Sequence, residues 1–220
     1  ERGKSRYFGH IQGVKTIRKI ILTSTKLKIK YITLFAFSKE NWKRPQKEVN
    51  MLMNLFVSTI KKNKNHFLKD EIKINVIGDI SDLPENCQKT IFEVIDATKH
   101  NTKLTLTLAL SYSSRLEIID AFKKIIQSEK GLSKMKINED LINKYLQTSS
   151  MPDPELLIRT SGERRISNFL LWQIAFTELY FSEKKWPDFD EEELYMSIFE
   201  YQKRERRFGK TTEQINNDEI

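Results

Sequence analysis

Arginine side chains are concentrated in the stretch RTSGERRISN, which runs from Arg159 to Asn168. Arg159, Arg164 and Arg165 are too close together to be buried without partners, because an unpaired internal charge is strongly unfavourable. The planar guanidinium group binds phosphate oxygens through two parallel hydrogen bonds. The apolar run FLLWQIAFTELYF follows at once. The pattern predicts a ligand that carries phosphate at one end and hydrocarbon at the other.

Small polar residues within this stretch favour the same ligand. Ser161-Gly162 permits close approach of a backbone, and Ser167 with Asn168 can complete an anion cradle. Glu178 is the one acid in the apolar run that follows. Pairing with a neighbouring arginine explains Glu178 as well as a functional role does.

A second polar block, FSKENWKRP, runs from Phe37 to Pro45. Ser38 and Asn41 can form neutral hydrogen bonds, Arg44 offers a fork for phosphate, and Trp42 suits a boundary between apolar and wet surroundings. The alternative is an ordinary loop in which Ser38 or Asn41 caps the next helix and the proline sets its start.

A third block, RYFGHIQG, places Arg6 and His10 just before an apolar-periodic helix. The start of a helix offers free backbone N–H groups and a positive dipole end, both favourable for an anion. His10 could donate to a phosphate or carry a proton. A solvent-facing histidine at a helix end is the alternative.

These blocks need elements that hold them in place, and the hydrophobic pattern supplies alternating strands and helices. Strands are predicted at Ile32–Ser38, Ile72–Asp79, Lys103–Tyr112 and Glu155–Gly162, with Leu179–Ser182 as a plausible fifth. Helices are predicted at Ile11–Lys28, Lys47–Leu68, Leu83–Lys99, Arg115–Glu129 and Glu191–Arg206. Alternation of this kind predicts an α/β domain with a mostly parallel sheet and helices on both faces.

The polar blocks follow the predicted strands, where ligands of open parallel sheets bind. SKENWKRP follows the strand ending near Phe37, SYSSR follows Leu110, and RTSGERRIS closes the strand that passes through Ile158. We therefore expect three polar groups to converge at one edge of the sheet.

Composition sets the broad class of the protein. The chain has 220 residues, enough for one domain, with 39% hydrophobic and 31% charged residues. Its single cysteine, Cys87, cannot form an internal disulfide, which favours a reducing cytoplasmic setting. No apolar run reaches the length of a membrane span. The net charge of +8 comes largely from scattered lysines, and no phosphate-binding glycine motif occurs, so nucleic acid and nucleotide are disfavoured.

The chain resembles the cis-prenyltransferase family, to which bacterial undecaprenyl diphosphate synthases belong. The matching blocks are GH..G at Gly9, FAFSKENWKRP...EV from Phe35, IGD from Ile77, the stretch from Arg159 to Phe181, WPDF from Trp186, and RERRFG from Arg204. They cover nearly the whole chain, with a catalytic domain over residues 1–209 and a polar tail over 210–220. The resemblance implies a sheet of about six strands, the first of which would precede Glu1, and an apolar tunnel.

The resemblance also implies an activity. Isopentenyl diphosphate would be condensed with an allylic diphosphate such as farnesyl diphosphate, with Mg²⁺, to give a Z-polyprenyl diphosphate. Undecaprenyl diphosphate, a lipid carrier for the cell wall, is the expected product. A homodimer is implied, with the RRFG segment reaching the partner's site, and the product could bring peripheral membrane contact. Tunnel length would depend on residues such as Leu104, Leu106, Leu108, Met51, Met53 and Phe56, which are equally good as plain core.

Site residues follow from the matched positions. Arg6 and His10 would contact the allylic diphosphate, and Arg159, Arg165 and Ser167 the isopentenyl diphosphate. Glu178 would be a metal ligand. Asn41 would occupy the position that assists proton removal, and because an amide is a poor base we interpret it as positioning a diphosphate or water. The substrate pocket would also include Ser38, Lys39, Glu40, Trp42, Arg44 and Ile166.

Two departures from the family pattern stand out. The pattern opens with a strand and a D-G-N-x-R-W-A turn whose aspartate is the main Mg²⁺ ligand, and Glu1–Gly3 corresponds to residues just after that turn. A fragment, a misassigned start and a degenerate, non-catalytic partner subunit would each explain this. We therefore predict little or no condensation activity for these 220 residues alone.

The second departure is in the SYSSR block. Ser111, Ser113 and Ser114 stand where N-Y-G-G-R has asparagine and glycines, which adds Cβ atoms where close approach or positive φ could be needed.

Overall fold

Residues 6–128, 137–207 and 214 are described by the computed structural model of the chain. The strands are β1 (Tyr31–Ser38), β2 (Ile72–Ile77), β3 (Leu104–Tyr112), β4 (Leu156–Arg159) and β5 (Glu178–Phe181). The helices are α1 (Arg6–Lys26), α2 (Gln46–Lys69), α3 (Glu85–Thr98), α4 (Ser114–Ser128), α5 (Glu139–Tyr145) and α6 (Glu191–Gln202). The α/β class, the four clear strands and the plausible fifth are confirmed.

The strands form two parallel sheets, one ordered β1-β3-β2 and one made of β4 and β5. A single sheet of about six strands was expected, and β1 and β4 do not pair within the described residues. Helix α1 contributes to two hydrophobic clusters. Its Ile21 lies in the core of the larger sheet, and its Ile20 packs with Phe189 and Leu194 in a cluster next to β4. The close approach of α1 also explains Gly13, where a Cβ would lie 3.1 Å from Trp186 Cδ1.

One face of the larger sheet is covered by helices and the other mainly by irregular chain. Leu104, Leu106 and Leu108 of β3 are buried beneath α2 and α3. On the opposite face, Leu170 is buried, with Phe169, against Ala109 and Tyr112. The part of the apolar run that precedes β5 is therefore a covering segment of turns.

The expected tunnel residues are mostly packed core. Leu104, Leu106, Leu108 and Met53 are each at most 6% exposed and belong to one cluster, with Phe56 packed against it. Met51 lies elsewhere, in an open groove of about 780 Å³ that is lined by residues of α2. The structure thus favours the plain-core interpretation for the β3 leucines and Met53.

Candidate diphosphate site

Arg159 ends strand β4 and carries the most informative unpaired group of the site. Its backbone oxygen accepts a hydrogen bond from the Ser182 N–H at 2.8 Å, which fixes the strand end. Its Nε is buried and has no hydrogen-bond partner among the described residues. A buried donor without an acceptor costs about 1–3 kcal/mol. The unpaired guanidinium N–H is therefore suited to a ligand oxygen.

Left-handed backbone is concentrated immediately after this arginine. Ser161 (φ 75°), Ser167 (φ 52°), Asn168 (φ 62°) and Leu170 (φ 49°) all have positive φ, as does Gly162 (φ 66°). Non-glycine residues in this region cost of order 1–3 kcal/mol each and persist where surrounding contacts enforce them, often at ligand sites. The segment that the sequence singled out is thus also where the described backbone is most strained.

Arg165, Ile166 and Ser167 lie on the outer side of this segment. The Arg165 side chain is 66% exposed and forms an ion pair with Glu163. Such an exposed pair contributes little stability, so Arg165 can exchange the carboxylate for a diphosphate at small cost. Ser167 is exposed, and the half-buried Ile166 accepts a backbone hydrogen bond from Phe169 at 3.2 Å.

The side chain of Asn168 is bonded within the protein, whereas the sequence predicted that it would complete an anion cradle. Its Nδ2 donates to Ser113 Oγ at 2.7 Å and to Glu40 Oε1 at 3.0 Å, and its Oδ1 accepts from the Arg115 N–H at 3.1 Å. Both amide donors are therefore used within the protein. The SKENWKRP block, which carries Glu40, and the SYSSR block, which carries Ser113, therefore meet the RTSGERRISN stretch at this residue.

Glu40 is held as an acceptor for that contact. Partial burial opposes ionisation of its carboxyl, but hydrogen bonds from Asn168 and from the backbone outweigh it and lower the pKa of Glu40. Glu40 therefore anchors the SKENW block to the arginine-rich segment.

Asn41 acts partly as the capping residue that the alternative interpretation required. Its Oδ1 accepts from the Ser38 N–H at 3.1 Å, at the start of the short 3-10 helix Lys39–Lys43. Pro45 directly precedes the first residue of α2. The amide oxygen is thus used locally, and the role of Asn41 in positioning a diphosphate or water stays a prediction.

The polar atoms of Lys39 and Trp42 are also used within the protein. Lys39 Nζ lies 2.5 Å from Asp82 Oδ2 and 3.7 Å from Asp79 Oδ2. The hydrogen bond to Asp82 raises the pKa of Lys39, against partial burial. Trp42 Nε1 donates to Ser111 Oγ at 2.8 Å, and that hydroxyl donates in turn to Asp82. Lys39 therefore ties the end of β1 to the segment after β2, and Trp42 ties it to the end of β3.

His10 and Arg44 meet at one carboxylate on α2. Arg44 Nη1 donates to Glu48 Oε1 at 3.1 Å, and His10 Nε2 lies 4.0 Å from the same oxygen. The structure thus brings the RYFGHIQG and FSKENWKRP blocks together. Arg6 begins α1, and its side chain lies outside the described part of the chain.

Glu178 forms a 2.8 Å ion pair with Arg204, which is the pairing alternative raised by the sequence. Residues 6–128 and 137–207 contain no cluster of three acidic, histidine or cysteine side chains that could hold a metal. Because Mg²⁺ is commonly held by one or two carboxylates together with substrate phosphates, the implied Mg²⁺ stays a prediction. Phe208 and Gly209 of the RERRFG block lie outside the described residues.

The serines of the SYSSR block form contacts that the sequence did not predict. Only Ser111 of the three has a left-handed φ, at 47°, so the added Cβ atoms at Ser113 and Ser114 meet no conformational penalty of that kind. Ser114 Oγ accepts from the Leu171 N–H at 2.8 Å, and Ser113 Oγ accepts from Asn168. Their hydroxyls bind the arginine-rich segment to the end of β3.

A buried carboxylate behind the site was also missed. Glu117, 4% exposed, accepts from Tyr112 Oη at 2.5 Å, from the Gln147 N–H at 3.0 Å and from Gln173 Nε2 at 3.1 Å. Burial and the carboxylate raise the pKa of Tyr112 far above its usual value. The signal was available, because Glu117 shares a helix face with Ala121 and Ile125.

The prenyltransferase family model described for undecaprenyl diphosphate synthase matches residues 1–209. The chain belongs to this family of isoprenyl transferases. An isoprenyl transferase of Chlorobaculum tepidum is 48% identical over 100% of this chain and 83% of its own length. The Micrococcus luteus ditrans,polycis-undecaprenyl-diphosphate synthase, specific for (2E,6E)-farnesyl diphosphate, is 47% identical over 91% of this chain and 82% of its own.

Solved structures of the family agree with the fold. Lavandulyl diphosphate synthase of Lavandula x intermedia, in complex with dimethylallyl diphosphate, superposes with a TM-score of 0.91 at 35% identity, covering 95% of this chain and 91% of that chain. A probable undecaprenyl diphosphate synthase of Campylobacter jejuni gives a TM-score of 0.82 at 37% identity, covering 90% and 92%. The chain is an enzyme of the isoprenyl transferase type. No helix in the described residues is long and apolar enough to cross a membrane.

Proposed function

We propose that this isoprenyl transferase condenses isopentenyl diphosphate with an allylic diphosphate such as farnesyl diphosphate to give a Z-polyprenyl diphosphate, with undecaprenyl diphosphate as product. The observation that carries the proposal is the buried, unpaired Nε of Arg159 at the carboxyl end of β4. The specificity printed for the Micrococcus luteus relative supports the choice of primer.

The positively charged residues and the neutral Asn41 would have different roles in this reaction. Arg159 and Arg165 would bind the isopentenyl diphosphate oxygens, with Ser167 donating its exposed hydroxyl. Cationic groups fixed before reaction stabilise negative charge on a departing diphosphate, because no reorganisation is needed when the bond breaks. Asn41 would position a diphosphate or water, since its amide cannot act as an effective base.

A measurement of ligand binding distinguishes this proposal from a nucleic-acid-binding function. Titration calorimetry of the 220-residue chain should show binding of isopentenyl diphosphate and farnesyl diphosphate, with only weak, strongly salt-dependent binding of duplex DNA. Tight DNA binding without diphosphate binding would overturn the proposal.

We further propose that the protein is a homodimer joined through β5 and α6. Strand β5 is an edge strand whose Leu179 and Phe181 point outward at 36% and 40% exposure, and Met196 and Phe199 of α6 are about half exposed. Exposed apolar edge strands are usually covered in functional proteins. Sedimentation should give a dimer that Phe181→Ser shifts toward monomer, with the exposed Phe92→Ser on α3 as control. A wild-type monomer at tens of micromolar would contradict this.

A further inference from the structure

Asn168 connects three segments that are distant in sequence. Its side chain bonds to Glu40, which lies 128 residues away, and to Ser113 at the end of β3. Its backbone oxygen accepts from the Ser114 N–H at 3.1 Å. The Arg115 N–H donates to its Oδ1. A single residue thus fixes the arginine-rich segment to both neighbouring polar blocks.

The contacts on either side of Asn168 extend this attachment. Ser114 Oγ accepts from the Leu171 N–H at 2.8 Å. The attached turn contains Ser167, Asn168 and Leu170, all with left-handed φ. Because such backbone is strained, it needs external bonds to keep one conformation. The two serine hydroxyls and the Asn168 amide supply those bonds, and we call these three side chains the Asn168 clamp.

The clamp depends on the hydroxyl groups of Ser113 and Ser114. A glycine at either position would have no hydroxyl to accept the Asn168 or Leu171 N–H group. The clamp also adjoins Ser167, the exposed neighbour of Asn168 to which the proposed function assigns a diphosphate contact. Its position relative to Glu40 is set by the Asn168–Glu40 bond.

We propose that Asn168 is a positioning residue, which, held by Ser113 and Ser114, fixes the Ser167 turn against Glu40 so that the diphosphate cradle is formed before the substrate arrives. This rests on the proposed function. A site that is organised in advance binds more tightly because the ordering cost has been met in folding. Loss of the clamp should therefore weaken diphosphate binding more than it weakens the fold.

Reversing the hydrogen bond between Asn168 and Glu40 tests whether this bond supports diphosphate binding. Asn168→Asp places two carboxylates face to face, so isopentenyl diphosphate binding, measured by calorimetry, should weaken about tenfold or more. Asn168→Asp combined with Glu40→Gln restores the original net charge and lets the amide of residue 40 donate to the carboxylate of residue 168. The double variant should return to within about threefold of wild type, whereas loss of separate structural contributions would add.

Further variants separate positioning from general stability. Ser113→Ala should weaken binding about threefold or more, while Ser128→Ala, which removes a hydroxyl at the far end of α4, should leave it unchanged. Amide exchange at Arg115 should accelerate in Asn168→Gly, which tolerates the left-handed φ. Wild-type-like binding in Asn168→Asp would overturn the proposal. So would a double variant that binds isopentenyl diphosphate more weakly than both Asn168→Asp and Glu40→Gln. A wild-type chain that binds no diphosphate would overturn it together with the proposed function.

Discussion

Replacing Glu117 with alanine should destabilise the protein strongly, because this buried carboxylate is the shared acceptor of three donors. In Glu117→Ala the Tyr112 hydroxyl and the Gln147 N–H lose the acceptor described above, while Gln173 Nε2 keeps a second acceptor, Thr148 Oγ1, at 2.9 Å. At about 1–3 kcal/mol for each buried donor left unpaired, the two orphaned groups give a loss of about 2–6 kcal/mol. That is a large share of the stability of an ordinary domain.

Urea unfolding followed by tryptophan fluorescence would measure the change. Glu117→Gln keeps one acceptor oxygen and should lie between wild type and the alanine variant. Asp120→Ala, on the exposed side of the same helix where Asp120 pairs with Lys123 at 3.2 Å, should cost no more than about 0.5 kcal/mol. A loss below about 1 kcal/mol for Glu117→Ala, at an unchanged urea slope, would refute the reasoning.

Two other perturbations follow from local geometry. Gly78→Ala should lower stability by about 2 kcal/mol or more in the same urea assay, because Gly78 has φ 111° and an added Cβ would lie 1.9 Å from the Leu110 carbonyl oxygen; a neutral result would mean that this turn relaxes freely. Asp79→Asn tests pH dependence, since hydrogen bonds from Ser81, and then Lys39, lower the pKa of Asp79 in the folded state. The advantage of wild type over Asp79→Asn should be complete above the unfolded pKa of about 3.9 and disappear as the pH falls through the lowered folded value, and a difference that grows in acid would contradict this.

The elements could be predicted where the hydrophobic pattern is strong. β3 is buried along almost its whole length, so it reads as a continuous apolar and β-branched run. Helix α5 was missed because its seven residues are too few to show a helical period, although Asn138, which accepts from the Leu141 N–H, is a recognisable N-cap. The division into two sheets was not predictable, because strand order in a parallel sheet depends on distant contacts.

The candidate site was predictable in residue type and less so in pairing. Arginine density and the positions after strands located Arg159 and Ser167 correctly relative to β4 and the turn. The partners of Lys39 and Asn168 come from 43 and 128 residues away, and no local pattern carries such information. Side chains that looked free to bind a ligand, Asn168 above all, are therefore used to hold the binding segment.

The affinity of Arg159→Gln for isopentenyl diphosphate tests directly whether the Arg159 guanidinium binds the diphosphate group. Loss of charged hydrogen bonds worth about 1.5–3 kcal/mol should weaken binding by about 10- to 100-fold in titration calorimetry. Arg18→Gln removes the same charge from the exposed side of α1 and serves as the matched control. An Arg159→Gln affinity within about twofold of that control would mean that Arg159 does not bind the diphosphate.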